Sequence, residues 1–160
     1  MKRRIFTGLV TFIFIMAITP FVLATDYEVE MVVPDGKKSK ETDAVLRINE
    51  NNLEIITDKQ TFKQYNKNFN YSDIKVADYS YAKKPMLSGG GAIATALLVG
   101  FIFALPFLFI KKKQHWISLQ TEKEFAVLKL GSGNYRAIIA ELETHKVKVS
   151  EVKEEEKKDK

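Results

Sequence analysis

No cysteine occurs anywhere in the 160 residues. That excludes disulfide staples, thiol catalysis, Cys-based zinc sites and a lipoprotein-type anchor, so an exported domain of this composition is held by its core alone. Histidine is nearly as scarce: His115 and His145 are the two in the chain. Neither has a companion at His-x-x-x-His spacing, and no Gly-x-Ser-x-Gly serine is present, so metal and nucleophilic chemistry lack their usual parts. There is no P-loop. Gly131-Ser132-Gly133 follows one periodic run and opens another, but Arg136 stands where a dinucleotide loop needs its third glycine. The acidic pairs Glu28/Glu30 and Glu141/Glu143 are spaced to face water, with no second carboxylate buried beside them to split their pKa values. The expectation is a non-enzymatic chain with no cofactor, no metal and no small-molecule substrate.

The basic excess is mostly local. The chain has 25 Lys and Arg against 20 Asp and Glu, and Lys2, Arg3 and Arg4 account for three of the 25. Without them 22 face 20, so the pI near 9.2 gives no support for nucleic-acid binding. Those three residues open a signal-like leader: a positive start, an apolar run from Ile5 to Leu23, and Val22-Leu23-Ala24 at a cleavage position. The expectation is a signal peptide over residues 1–24, cut after Ala24, with an uncleaved anchor as the alternative. Asn70-Tyr71-Ser72 matches a glycosylation sequon, but a Lys- and Asn-rich, cysteine-free chain with a leader reads as bacterial, which makes the match chance.

One long apolar run dominates the rest. Gly91 to Ile110 carries no charge, and Thr95 is its one side chain with a hydrogen-bonding group. About twenty such residues are what a helix needs to cross a bilayer. The expected membrane contacts are Ile93, Leu97, Leu98, Gly100, Phe101, Phe103, Pro106, Phe107 and Phe109. Lys83 and Lys84 precede the run and Lys111, Lys112 and Lys113 close it, two cationic clusters suited to an anionic lipid surface. Trp116 is expected at the membrane–water boundary or capping the core.

Both flanks read as β. Val29, Met31 and Val33 alternate with Glu28, Glu30 and Val32, and Pro34-Asp35-Gly36 ends that strand. Lys37 to Asp43 is expected to be a polar loop. Leu46 and Ile48, then Leu53, Ile55 and Thr57, alternate around Glu50-Asn51-Asn52, which predicts a hairpin. Phe62, Tyr65, Phe69 and Tyr71 predict a short strand or irregular aromatic edge, and 74–81 a further strand. Beyond the apolar run, 115–120 and 124–130 form a hairpin around Thr121-Glu122-Lys123. Tyr135, Ile138, Ile139 and Leu142 then fall on one face of a helix, with Asn134 as its N-cap. Residues 151–160 are nearly all charged and predict a solvated tail.

Separately, the two flanks are too small to hold a core without disulfides or metal. Joined, residues 25–87 and 114–150 make a domain of about 100 residues, an ordinary size. Both ends of 88–113 must then emerge together. A straight twenty-residue helix would part them by roughly 30 Å, so a bent hairpin is expected, broken at Gly100 and Pro106. Its unpaired turn is costly in hydrocarbon unless covered. A single span is the runner-up, and a buried soluble helix is third.

Asn70-Tyr71-Ser72-Asp73-Ile74 ahead of a strand, and Asn134-Tyr135-Arg136-Ala137-Ile138-Ile139-Ala140 as a closing helix, resemble pleckstrin-homology-like domains, including the GRAM-related and bacterial membrane-associated types. The resemblance implies a small antiparallel barrel or bent sheet of seven strands, plugged by one C-terminal amphipathic helix. It implies lipid or protein binding and no shared catalysis. It also implies a headgroup role for basic residues after the first strand, here Lys37, Lys38, Lys40 and Arg47, whose field Asp35, Glu41 and Asp43 largely cancel.

The reading is therefore a mainly β, membrane-attached binding or scaffold module of the bacterial cell envelope, exported and extracytoplasmic, partnered by the lipid bilayer and by an envelope or membrane protein. Its alternative is an accessory subunit of a membrane complex, with 91–110 as a single transmembrane helix whose small residues (Gly89 to Ala92, Ala94, Ala96) permit close helix contact.

Overall fold

The computed structural model describes residues 24–35, 38–88 and 112–153. The expectations for the leader, for Lys37 and Lys111 and for the nine apolar residues of 91–110 lie outside them, as does most of the charged tail. Eight strands are described: β1 (Thr25–Asp35), β2 (Lys38–Ile48), β3 (Asn52–Thr57), β4 (Lys67–Asn70), β5 (Val76–Ala82), β6 (Gln114–Gln120), β7 (Phe125–Leu130) and β8 (Val149–Glu151). One helix, α1 (Tyr135–Thr144), joins β7 to β8. The strands form one curled sheet in the order β4-β3-β2-β1-β7-β6-β5-β8. All neighbours are antiparallel except β5 and β8.

Period-two alternation divides the sheet's two faces. The concave face gathers Val29, Met31, Val33, Leu46, Ile48, Leu53, Ile55, Phe69, Ile117, Leu119, Leu128 and Leu130 into one core. The helix plugs it with Ile138 and Leu142, both fully buried, as their spacing of four predicts. The mainly β architecture with one C-terminal amphipathic helix is thus the observed fold.

The expected turns are in place. Asn49 N–H donates to the Asn52 carbonyl at 2.9 Å, closing β2 onto β3. At the other hairpin the Thr121 hydroxyl accepts the Glu124 N–H at 2.9 Å and the Lys123 N–H at 3.2 Å.

Several local expectations need correction. Residues 38–43 are strand, not loop: β2 pairs with β1 along its whole length, from Thr25↔Ile48 to Asp35↔Lys38. Pairing with the apolar strand just before it overrides the polar composition of that stretch. Residues 60–65 form a 3-10 helix (Gln60–Tyr65), with β4 only four residues long after it. Asn134 makes no side-chain cap; its amide donates to the Glu28 carbonyl at 2.8 Å, tying the start of α1 to β1. Glu151 lies in β8, and the Val152 N–H still donates to the Tyr79 carbonyl, so the tail starts later than its charge pattern says.

The end of α1 carries a strained residue. Lys146 has φ of 66°, and the Val147 N–H reaches the Leu142 carbonyl while the Lys146 N–H reaches that of Glu143. That is the six-to-one and five-to-two pattern of a Schellman stop, with Lys where glycine is usual.

Candidate functional site at the end of β5 and β6

Strands β5 and β6 pair from Val76↔Gln120 to Ala82↔Gln114. Ala82, nine residues before the long apolar run, and Gln114, four residues after it, are therefore next to one another on adjacent strands, about 5 Å apart. Lys83, Lys84, Lys112 and Lys113 are all exposed at this end. The register thus brings together the described members of both predicted lysine clusters.

After Ala82 the chain doubles back across the convex face. The Ser80 hydroxyl accepts the Met86 N–H at 3.3 Å, and Leu87 packs on a second cluster made of Val32, Trp116, Phe125 and Val127. Asp78, 1% exposed, accepts both the Ser88 N–H and the Ser88 hydroxyl at 2.8 Å. Two donors on one serine satisfy a carboxylate that burial would otherwise make costly. Trp116 itself is fully buried, and its indole N–H donates to the Ala82 carbonyl at 3.0 Å. It belongs to that second cluster and not to the concave core.

Beside the lysines lies an aromatic stack that the sequence reading missed. His115 stacks on Tyr135 at 3.8 Å between ring centroids and leans on Tyr81 at 4.7 Å. The Tyr79 hydroxyl meets His115 Nδ1 at 2.7 Å, and the Arg136 guanidinium sits over the Tyr135 ring at 5.5 Å. Burial and the nearby Arg136 charge hold the His115 pKa below the usual imidazole value, so its neutral form prevails at neutral pH. Burial, with Tyr135 next, raises Tyr79. Alternation of Tyr79 and Tyr81 along one strand, opposite His115, was the available signal; only the β5–β6 register turns it into contact.

Of the basic residues after β1, the described side chains of Lys40 and Arg47 do not come together. Lys38 begins β2 and Lys40 and Arg47 lie further along it, the last two seven residues or about 24 Å apart along the strand. Lys40 sits 3.9 Å from Asp35 and over the Phe62 ring at 5.9 Å. Arg47 is held bidentate by Asp26 at 2.8 Å on both arms. An open cleft of about 700 Å³ near Tyr81 and Lys113 is walled by Glu28, Asp43 and Asp58, which disfavour a phosphate.

One charge cluster also escaped notice. Lys129 Nζ reaches Glu30 at 2.9 Å and Glu41 at 2.8 Å on the convex face. So two carboxylates do sit side by side, partly buried. Burial pushes the Glu41 carboxyl up, helped by Glu30 beside it. Burial also pushes on Glu30, but the Lys129 and Glu41 hydrogen bonds hold it below its usual value. Likewise Glu141 does not simply face water; it accepts the Tyr27 hydroxyl.

A curled sheet stopped by a C-terminal helix is roughly pleckstrin-homology-like in kind. No protein-family profile matches the chain, and no curated protein does. Among solved structures it is similar to the hSac2 domain from human phosphoinositide phosphatase Sac2, with a TM-score of 0.50 and 10% identity over 99% of this chain and 93% of that one. At that identity the likeness speaks for the fold and leaves the membrane insert without support. It does correct one expectation. The sequence was read as excluding an enzyme, yet the fold it shares belongs to a domain of a phosphatase, so that exclusion is withdrawn. No reaction is assigned by it.

Proposed function

We propose that the protein is a binding module attached to an envelope membrane through residues 89–113, with its barrel-like surface presented to a protein or lipid-headgroup partner. The observation that carries this is the Ala82↔Gln114 pair. It puts Ala82, nine residues before a twenty-residue apolar run, beside Gln114, four residues after it, with four exposed lysines next to them in sequence. Such a run returns to the side it left, dipping into one leaflet, because a straight helix would separate its ends by roughly 30 Å. Lysines at the headgroup level add attraction to anionic lipid of about 1 kcal/mol each. No helix among the described residues is long and apolar enough to cross a membrane.

The test is vesicle flotation of the full chain. Replacing Lys83, Lys84, Lys111, Lys112 and Lys113 by glutamine should abolish the preference for anionic over neutral vesicles. Unchanged lipid binding with loss of a co-purifying protein would favour the complex-subunit reading instead. Topology is read separately: Gln60→Cys and Glu122→Cys should label from the same side in spheroplasts.

A further inference from the structure

Tyr81 is 52% exposed, the large hydrophobic side chain left in solvent among the described residues. It does not stand alone. Its ring leans on His115, which stacks on Tyr135 at 3.8 Å, and the Arg136 guanidinium sits over the Tyr135 ring at 5.5 Å. Arg136 Nε donates to the Tyr135 hydroxyl at 2.8 Å. That bond fixes an exposed arginine and leaves its terminal nitrogens, which bond nothing among the described residues, open to an acceptor. Lys83 and Lys84 follow Tyr81 closely in the chain, and Lys112 and Lys113 closely precede His115. The end of β5, the start of β6 and the first turn of α1 thus set exposed cations beside one aromatic stack. None of the ion pairs among the described residues engages Lys83, Lys84, Lys112 or Arg136. Glu151, opposite Tyr79 in the β5–β8 pair, is an opposing charge on this flank.

The other flank of the same end has the opposite sign. The cleft that Tyr81 and Lys113 border is also lined by Glu28, Asp43 and Asp58, all three exposed. Asp43 is on β2, three strands from β6 or about 14 Å across the sheet, and Asp58 lies just past β3, one strand further. Among the described residues no cation pairs with these three carboxylates.

We propose that the Tyr81–His115–Tyr135–Arg136 stack is the folded domain's own contact with an anionic lipid surface. Tyr81 sits at the headgroup boundary, Arg136 takes a lipid phosphate, and the barrel tilts with β5, β6 and the start of α1 toward the bilayer and its β2–β3 side away. This rests on the membrane-attached reading and adds to it which side of the domain faces the lipid. Tyrosine rings concentrate at the membrane–water boundary because one end is apolar and the other polar. A guanidinium fork matches phosphate oxygens in a way that an ammonium does not. An anionic surface attracts the lysines and Arg136 and repels Glu28, Asp43 and Asp58, and both forces turn the barrel in the same sense. At physiological salt the field fades over about 8 Å, so the flank that touches the surface gains and the far wall of the cleft stays in water. A protein partner would meet the same charges, but this patch is continuous with the strand ends that lead into and out of the apolar run, and these lie at the bilayer.

The absence of native cysteine makes the test direct. The full chain is reconstituted into phosphatidylglycerol-rich or pure phosphatidylcholine bilayers with one spin label, at Tyr81→Cys or Ala137→Cys on the near side, or at Asp58→Cys or Gln60→Cys on the far side. Ala137 is the exposed neighbour of Arg136. The ratio of collisions with lipid-dissolved oxygen to collisions with an aqueous nickel chelate reports depth. The ratio should be several-fold higher at 81 and 137 than at 58 and 60 in the anionic bilayer, and the contrast should shrink in the neutral one. Reading the label at 137 in a Tyr81→Ser, Arg136→Gln background should show the contrast lost while flotation persists. Both replaced side chains are exposed, and Trp116 emission checks that the variant is folded. Equal ratios on the two sides, a higher ratio on the far side, or a contrast that survives the double variant would overturn the proposal. Labels at 81 that couple to one another would overturn it too, since a second copy would then cover the stack. Flotation separates the two readings: a chain that does not float sinks attachment and this orientation together, and one that floats without contrast sinks the orientation alone.

Discussion

Replacing Lys129 by methionine tests whether the convex-face charge cluster is held by its central cation. Methionine keeps most of the stem and removes the ammonium, leaving Glu30 and Glu41 side by side. The side chains of Lys129, Glu30 and Glu41 are 21%, 38% and 28% exposed, so water screens part of the effect. Breaking a fully buried pair costs roughly 3–5 kcal/mol, and exposed pairs contribute under about 1 kcal/mol; this cluster falls between, at about 1–2 kcal/mol at pH 7. With a urea slope near 2 kcal/mol/M, the midpoint should fall by roughly 0.5–1 M. Trp116 pairs opposite Lys129 across β6 and β7 and reports the transition, in detergent, as the sole fluorophore of its kind. The pH dependence is the sharper check. In the variant both carboxyls lack a cation and titrate above their unfolded value, so the folded state binds more protons and stability rises as pH falls toward 4.5. In the wild type, Glu30 titrates below its unfolded value and its contribution is lost as pH drops past 4.5. Wild-type Glu41, raised by burial, opposes this only in part. The gap between the proteins should therefore narrow from pH 7 to pH 4. A gap that is constant over that range, or absent at pH 7, would refute the reasoning.

Lys146→Gly should stabilise the protein by about 1 kcal/mol, since it relieves a left-handed side chain at the Schellman stop; thermal unfolding would show a higher Tm. Tyr27→Phe should cost about 1 kcal/mol through the lost bond to Glu141. Burial and that bond raise the Tyr27 pKa to about 12, so wild-type stability falls as pH climbs from 10 toward 12, and the variant should lose part of that slope. Tyr71, also raised to about 12 by burial, and Tyr79, raised chiefly by burial, contribute to the rest. Anionic-vesicle binding of the wild type should weaken steeply between low and physiological salt, as screening shortens the reach of the lysines, whereas the five-fold glutamine variant should show almost no salt dependence.

The two hairpins and the helix were legible because their signals are local. Asparagines mark one turn, threonine the other, and Ile138 and Leu142 keep helical spacing with no help from the rest of the fold. What escaped is set by partners outside the stretch itself. Ser39 to Asp43 carry no strand signal, and only Glu30 to Pro34 opposite them make them one. Val149 to Glu151 form a strand because β5 has an unpaired edge there to accept them. The site shows the same division. The lysine clusters could be named from composition, and their nearness argued from domain size, but the stack of Tyr81, His115 and Tyr135 needs the register of two strands and the start of a helix. Asn134 misled for a related reason: it fits the N-cap pattern, but a nearby carbonyl on β1 takes its amide instead.

The buried hydroxyls of the convex face make a closing comparison. Ser80 and Ser118 are both fully or almost fully buried there, near Trp116 and Val127. The Ser80 oxygen accepts the Met86 N–H, whereas the Ser118 oxygen has no hydrogen-bond partner among the described residues. Removing a buried acceptor that serves a backbone N–H costs stability, and removing one that serves nothing costs little or none. Ser80→Ala should therefore lower stability by about 1 kcal/mol, and Ser118→Ala should leave it unchanged or raise it, read from the urea midpoints of the two variants. Equal losses at the two positions would mean that the Ser118 hydroxyl is bonded after all.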